Sequence, residues 1–243
     1  MKYSTVLIQG AMDIEVDYLI KQLQEVENKT IAGYEFSIGC INKTKIIVSK
    51  TLIGTINATI ATAIGIMTFK PDLVINQGIA GAHKENIHTG DIIIGEKCCN
   101  INSYSMPQKE VGQGSNSLEW QPDKRAKEVK MARKELVSLL YNCISDNSTN
   151  TVYKGNLGSG DAFNREADRI NWISCKFDTL CEDMESIGVY STCKQFDIPC
   201  IGVRIISNNE LTGESLDEEQ ATKLQELIIN FLHKCIDENA EIK

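Results

Sequence analysis

The chain has 243 residues, a formal net charge of −8 at neutral pH, and 42% apolar against 24% charged residues. That acidic balance argues against a nucleic-acid-binding surface, and with only 4 Pro there is little room for a long disordered linker, so one domain spanning 1–243 is expected. No run approaches the ~20 apolar residues of a membrane helix, and Asp13 and Glu15 follow the first apolar run where an export signal would place its cleavage site.

In chain order, Thr5–Gly10 (TVLIQG) predicts a strand, and residues 13–26 a helix with acids in its first turn, where the helix dipole favours them. Strands at Tyr34–Ile41 and 45–50 flank the turn residue Asn42 and predict a hairpin. Residues 55–67 (TINATIATAIGIM) are apolar nearly all round and rich in small side chains, which predicts a buried helix packed closely on a sheet. Buried strands are expected at 73–76 and 91–94. Residues 100–124 lack a period and exceed an ordinary connection, which predicts a functional loop. A charged helix follows at about 125–141, then strands near 153–157, 179–182 and 200–206 alternate with a helix at 186–195. The last helix is expected to begin at Ser215, with Glu218 completing a capping box, and to bury Leu224, Leu227, Ile228, Phe231, Leu232 and Cys235. The alternation predicts an α/β layered fold on a mixed or mostly parallel sheet, with ligands bound beyond the carboxyl ends of strands.

The nine cysteines form no CxxC pair and sit mostly in or beside apolar runs such as IPCIGVRII, which fits reduced thiols in a cytoplasm better than a disulfide framework. His83, His88, His233 and these thiols show no zinc-ligand spacing, so neither a metal nor a cofactor is expected.

Four segments carry candidate chemistry. In GAMDIE a flexible glycine ends the strand and Glu15 falls in the first helical turn, where dipole and backbone N–H groups keep a carboxylate ionised; that suits a general base for water, or an ordinary first-turn glutamate. NQGIAGAH lets backbone approach a ligand closely or simply forms a glycine-rich turn, and its His83 reads as a solvated loop histidine. In SGDAFN, Phe163 either stacks on a planar ring or packs in the core. CEDMESIGVY gathers Glu182, Asp183 and Glu185 at a strand end, where they either meet donors such as a sugar diol or splay into solvent. Asn208, ending the strand in VRIISNNE, brings an amide that donates and accepts.

Taken together and in this order, GAMDIEV, GDIIIGE, SGDAF, DMES and VRIIS resemble the nucleoside phosphorylase and nucleosidase superfamily over nearly the whole chain, most closely the 5′-methylthioadenosine/S-adenosylhomocysteine nucleosidases. The resemblance implies a single-domain α/β/α fold with a central mixed, partly barrel-like sheet, a homodimer or larger assembly, and a purine nucleoside as small-molecule partner. It implies that Glu15 activates the attacking water, that Glu185 binds the ribose hydroxyls, that Met184 packs on the sugar, and that Phe163 and the backbone of Asn164 sandwich and read the purine. Met12, Ile79 and Asp183 lie in the same segments and complete the expected substrate-binding set.

Three positions depart from the family. Asn208 stands where adenine-cleaving members have an aspartate that protonates N7, and an amide cannot deliver that proton; relatives acting on 6-oxopurines carry asparagine here. The arginines and hydroxyl residue with which phosphorylases hold phosphate are missing from GAMDIE and NQGIAG, where Ile79 replaces the hydroxyl residue, so water is the expected nucleophile. Arg204 lies mid-strand as it does in nucleosidases, as a structural residue or a partner for the acids; the third departure is residues 100–120, which lack the family's pattern at the 5′ pocket. The expected activity is hydrolysis of a purine ribonucleoside of the methylthioadenosine or S-adenosylhomocysteine type. The alternatives are a 6-oxopurine nucleosidase resembling futalosine hydrolase, a purine nucleoside phosphorylase, and a nucleoside-binding or storage protein.

Overall fold

Strand β1 (Thr5–Gly10) sets the plan: Val6 and Ile8 point into one apolar layer and Leu7 into the other, as a period of two requires. In the computed structural model, which describes residues 3–123, 129–130 and 132–236, β1 lies between parallel neighbours β4 (Thr44–Lys50) and β5 (Leu73–Ala82). Helices α1 (Asp13–Gln22), α3 (Lys134–Ser145) and α6 (Gln220–Phe231) bury Leu19, Leu140 and Leu224 on the Val6 side. On the Leu7 side, α2 (Thr55–Phe69) and α5 (Ser186–Phe196) contribute Ala58, Ala61, Val189 and Tyr190. The layers are therefore α/β/α.

Among the described residues, ten strands form the main sheet. Beyond β5 come β12 (Cys200–Asn208), β6 (Ile92–Asn100), β10 (Val152–Ser159) and β11 (Thr179–Asp183). β11 returns to pair antiparallel with β5 at Cys181–Ala82 and Glu182–Gly81, so these five strands close into a ring and give the partly barrel-like sheet that was expected. On the open side, β3 (Tyr34–Ile41) makes the expected antiparallel pair with β4, and β2 (Gln24–Ile31) forms the edge; β9 (Val129–Lys130) pairs with β6.

Several expected boundaries need correction. The first helix stops at Gln22, and the residues beyond form β2, whose side chains are nearly all exposed and so carry no alternation to betray a strand. β5 runs on from Asn76 through GIAGA, so these glycines lie within a strand and not in a turn. Helix α2 is not buried all round: Ala58, Ala61, Thr62, Gly65 and Ile66 face inward, while Ile56 (71% exposed) and Met67 (68%) face out. Of the charged helix expected at 125–141, residues 125–128 and 131 lie outside the described residues, and the helix observed is Lys134–Ser145. Helix α4 (Ala167–Phe177), not anticipated, packs Trp172, Ile173 and Phe177 against Cys99 and Ile101. The Ser215–Glu218 capping box does not form: α6 starts at Gln220, and the Asp217 carboxylate accepts from Glu219 N at 3.0 Å and Gln220 Nε2 at 2.6 Å. The apolar stripe from Leu224 to Leu232 is buried as expected; the side chain of Cys235 lies outside the described ones.

Of the expected functional loop, residues up to 123 are described. Strands β7 (Tyr104–Ser105) and β8 (Gln121–Pro122) pair, Tyr104 stacks on Trp120 at 4.4 Å, and the Arg169 guanidinium lies over both rings. None of the eight cysteines whose side chains are described is in a disulfide, and six of them are buried. No helix among the described residues is long and apolar enough to cross a membrane.

Candidate active site

The carboxyl ends of β1, β5, β11 and β12 surround a cavity of about 280 Å³ bordered by Met12, Glu15, Ile79, Phe163, Asp183, Met184, Glu185 and Asn208, together with Gly81, Glu182 and Glu218. Of the expected site residues, Asn164 alone does not border it. Among the described residues, none of 100–123 borders it, and neither does any Lys or Arg.

Glu15 forms the floor. As the third residue of α1 it reaches back so that Oε2 accepts from Ala11 N at 2.6 Å and Met12 N at 3.2 Å, while Oε1 accepts from Ile79 N at 2.9 Å. This approach to β5 requires glycine beside Ile79, since a methyl at Gly78 would overlap Glu15 Oε1. A carboxylate has about four acceptor sites, so three donors leave one for a molecule in the cavity. Burial raises the pKa of Glu15 above the ordinary carboxylate value, opposed by these N–H groups and by the charge of Arg204. The group is thereby a stronger proton acceptor.

The acids at the end of β11 separate by environment. Asp183 accepts from Glu185 N, Ser186 N and Ser186 Oγ, which caps α5, and from Arg204 Nε at 2.9 Å. Arg204 is 1% exposed; its Nη1 donates to the carbonyls of Asn76 and Val203 and its Nη2 to Ser186 Oγ. It is thus both the structural residue and the acid partner its position allowed, and its charge is spent inside the protein. Glu185 is bound more loosely: Oε1 accepts from Gly54 N at 2.9 Å, a contact made from a backbone at φ +105° that favours glycine. Burial, with the neighbouring charge of Asp183, pushes the Glu185 carboxyl up to about 7.

At the other end, Phe163 is 54% exposed on the rim, which rules out the core-packing alternative. The Asn164 N–H, expected to face a purine, donates instead to Glu182 Oε1 at 2.9 Å, and its Nδ2 donates to Glu182 Oε2 at 2.7 Å. Asn208 is 2% exposed; Oδ1 accepts from Ser207 Oγ at 3.0 Å and Nδ2 lies 3.4 Å from Glu210 Oε1. His83 is no solvated loop histidine: it is 1% exposed, with Nε2 3.1 Å from Glu182 Oε2 and Nδ1 2.7 Å from Thr179 Oγ1. The sequence signal was the acid cluster at 182–185, but only the β5–β11 register shows that His83 meets it. Among the described residues no group of three or more His, Cys, Asp or Glu is arranged to hold a metal ion.

A sequence model of the phosphorylase superfamily matches residues 5–238. The 5′-methylthioadenosine/S-adenosylhomocysteine nucleosidase of Bacillus velezensis is 28% identical over 231 residues, 93% of this chain and 96% of that protein. The enzyme of the same name from Bacillus cereus is 28% identical over 237 residues, covering 96% and 98%. Among solved structures, the Neisseria meningitidis 5′-methylthioadenosine/S-adenosylhomocysteine nucleosidase in complex with methylthio-immucillin-A aligns with a TM-score of 0.79 at 21% identity, covering 94% of this chain and 98% of that one. The futalosine hydrolase of Helicobacter pylori aligns at 0.80 and 20% identity, covering 95% and 98%. At these identities the structural likeness is one of fold.

Proposed function

The chain belongs to the phosphorylase superfamily, and from that premise we propose that it hydrolyses the N-glycosidic bond of a purine ribonucleoside, acting as one catalytic unit over 1–243. The observation that carries this reading is the Glu15 carboxylate, held by three backbone N–H groups on the floor of a cavity that no Lys or Arg among the described residues borders. A phosphate dianion there would meet Glu15, Glu182, Asp183, Glu185 and Glu218, and no Lys or Arg among the described residues borders the cavity to hold it, which supports water as the nucleophile. An intact, strengthened base favours turnover over storage.

In the proposed step the C1′–N9 bond breaks as the ribosyl group gains oxocarbenium character, and its electron pair leaves with the purine. Glu15 takes one proton from the attacking water, whose oxygen bonds to C1′. Glu185 accepts from the ribose hydroxyls, Met184 packs on the sugar, and Phe163 covers the base. Asn208 has no proton to give, so the purine takes its proton from solvent and Asn208 Oδ1 accepts from the resulting N7–H.

For the substrate, the names of the Bacillus relatives point first to methylthioadenosine or S-adenosylhomocysteine. Asn208 favours a second reading, a 6-oxopurine nucleoside, because its NH2 suits O6. The test is release of free purine from methylthioadenosine, S-adenosylhomocysteine, adenosine, inosine and futalosine; release from none of them would overturn the proposal.

Because Glu185 must be ionised to accept from the sugar, kcat/KM is expected to fall about tenfold per pH unit below about 7 and to level off above it. Stability has the opposite slope. With its carboxyl raised from 4.5 to about 7, Glu185 contributes stability that is fully present below pH 4.5 and lost as pH rises through 7. A pH profile of kcat/KM, with thermal melts over the same range, checks both signs.

A homodimer is part of the proposal. The exposed Ile56, Ile60 and Met67 on α2 adjoin the exposed Leu52 and Ile53, and Ile53 also borders the cavity, so a second copy covering this face would close the site. A cytoplasmic location is supported by the eight described cysteines, none of which is in a disulfide.

A further inference from the structure

Glu182 lies one residue before the end of β11, is 6% exposed, and borders the cavity. Its carboxylate accepts from the backbone N–H and the side-chain amide of Asn164, and His83 Nε2 stands 3.1 Å from Oε2. An ionised Glu182 can only accept, so His83 Nε2–H donates to it, while Nδ1 lies 2.7 Å from the Thr179 hydroxyl, which can serve it in either direction. Three of about four acceptor sites are then filled, and a molecule in the cavity supplies the fourth donor.

The strand register fixes where that donor sits. Glu182 pairs with Gly81 from β11, and Asn208 pairs with Gly81 from β12. A methyl built on Gly81 would lie 3.5 Å from Asn208 Nδ2 and 3.8 Å from Glu182 Cγ, so the two side chains border one space. Gly81 is two residues along β5 from Ile79, whose N–H holds Glu15, roughly 6–7 Å of strand from the nucleophile end. This end of the cavity presents an amide beside a carboxylate that can only accept.

The 6-oxopurine edge offers acceptors at O6 and N7 and a donor at N1–H; adenine keeps the N7 acceptor and reverses the other two, with a donor at its 6-amino group and an acceptor at N1, so with N7 and the C6 substituent against Asn208 it is N1 that faces Glu182. A carboxylate makes a charge-assisted hydrogen bond with N1–H and repels the N1 lone pair of adenine. The Asn164 N–H, a donor that would suit adenine N1, is already engaged by Glu182. We infer that Glu182 is a specificity-determining residue that, with Asn208, selects 6-oxopurines over adenine. This rests on the reading of the cavity as a purine nucleoside site and favours the second of its two substrate classes. A carboxylate bonded to N1–H does not stabilise charge on the departing purine, so its effect falls on binding more than on kcat.

The experiment uses the full chain and its isosteric Glu182→Gln variant, with two readouts: dissociation constants for hypoxanthine and adenine by calorimetry, and kcat/KM for inosine and adenosine. Wild type is expected to favour the hypoxanthine member of each pair by about tenfold or more, and Glu182→Gln to narrow that ratio by about tenfold, mainly through KM. Adenine preference in wild type, equal binding of the two bases, or a ratio unchanged in the variant would overturn the inference. The readouts separate it from the hydrolase reading: selective hypoxanthine binding without cleavage of either nucleoside leaves the inference standing and removes the hydrolase, whereas efficient cleavage with adenine preference does the reverse.

Discussion

Replacing Glu15 with Gln is expected to lower kcat by about 10²–10⁴-fold, the usual contribution of a general base, while nucleoside binding is retained. The amide keeps the size of the side chain, and its carbonyl can still accept from Ile79 N or from Ala11 N. It cannot take a proton from water. Its NH2 group also replaces an oxygen that now accepts from backbone N–H groups, so a modest loss of stability accompanies the loss of rate. Steady-state kinetics with calorimetric titration of a nucleoside separate the two effects. Near-wild-type kcat would remove Glu15 from the mechanism, and lost binding with an unchanged kcat would recast it as a substrate contact.

The second large effect is expected on folding. Arg204 and Asp183 form an ion pair in which each side chain is 1% exposed, and replacing Arg204 with Met fills the space but strands a buried carboxylate. Breaking a buried pair from one side costs about 3–5 kcal/mol, which for a domain of this size lowers Tm by about 6–20 °C. Losing the guanidinium also removes a charge that holds the Glu185 proton affinity down, so the rise of kcat/KM with pH should move to higher pH. A melt within about 2 °C of wild type would show that Arg204 does not support the site.

Much of this architecture was legible in the residues. The apolar strand cores, the DMES cluster and the order of the glycine-bearing segments placed Glu15, Glu185, Met184 and Asn208 on one side of a mixed sheet, and the structure gathers them around one cavity. Legibility ended where pairing across the chain decides a residue's surroundings. Nothing local in NQGIAGAH distinguishes a turn from a strand; β5 continues through it because β11 and β12 satisfy both of its edges. That same closure buries His83 against Glu182, 99 residues away, and engages the Asn164 N–H that the family resemblance assigned to the base. The edge strand β2 failed for the opposite reason, having no buried face to impose a pattern. The large apolar residues on α2 read as core because sequence records hydrophobicity and not what covers it.

The most direct measurement is of the sugar product of a nucleoside that the protein cleaves, formed in H2¹⁸O with phosphate absent and then in excess. Water activated by Glu15 predicts ¹⁸O on C1′ of a free ribosyl sugar and the same rate of purine release under both conditions. A sugar 1-phosphate, or cleavage that requires phosphate, would contradict it.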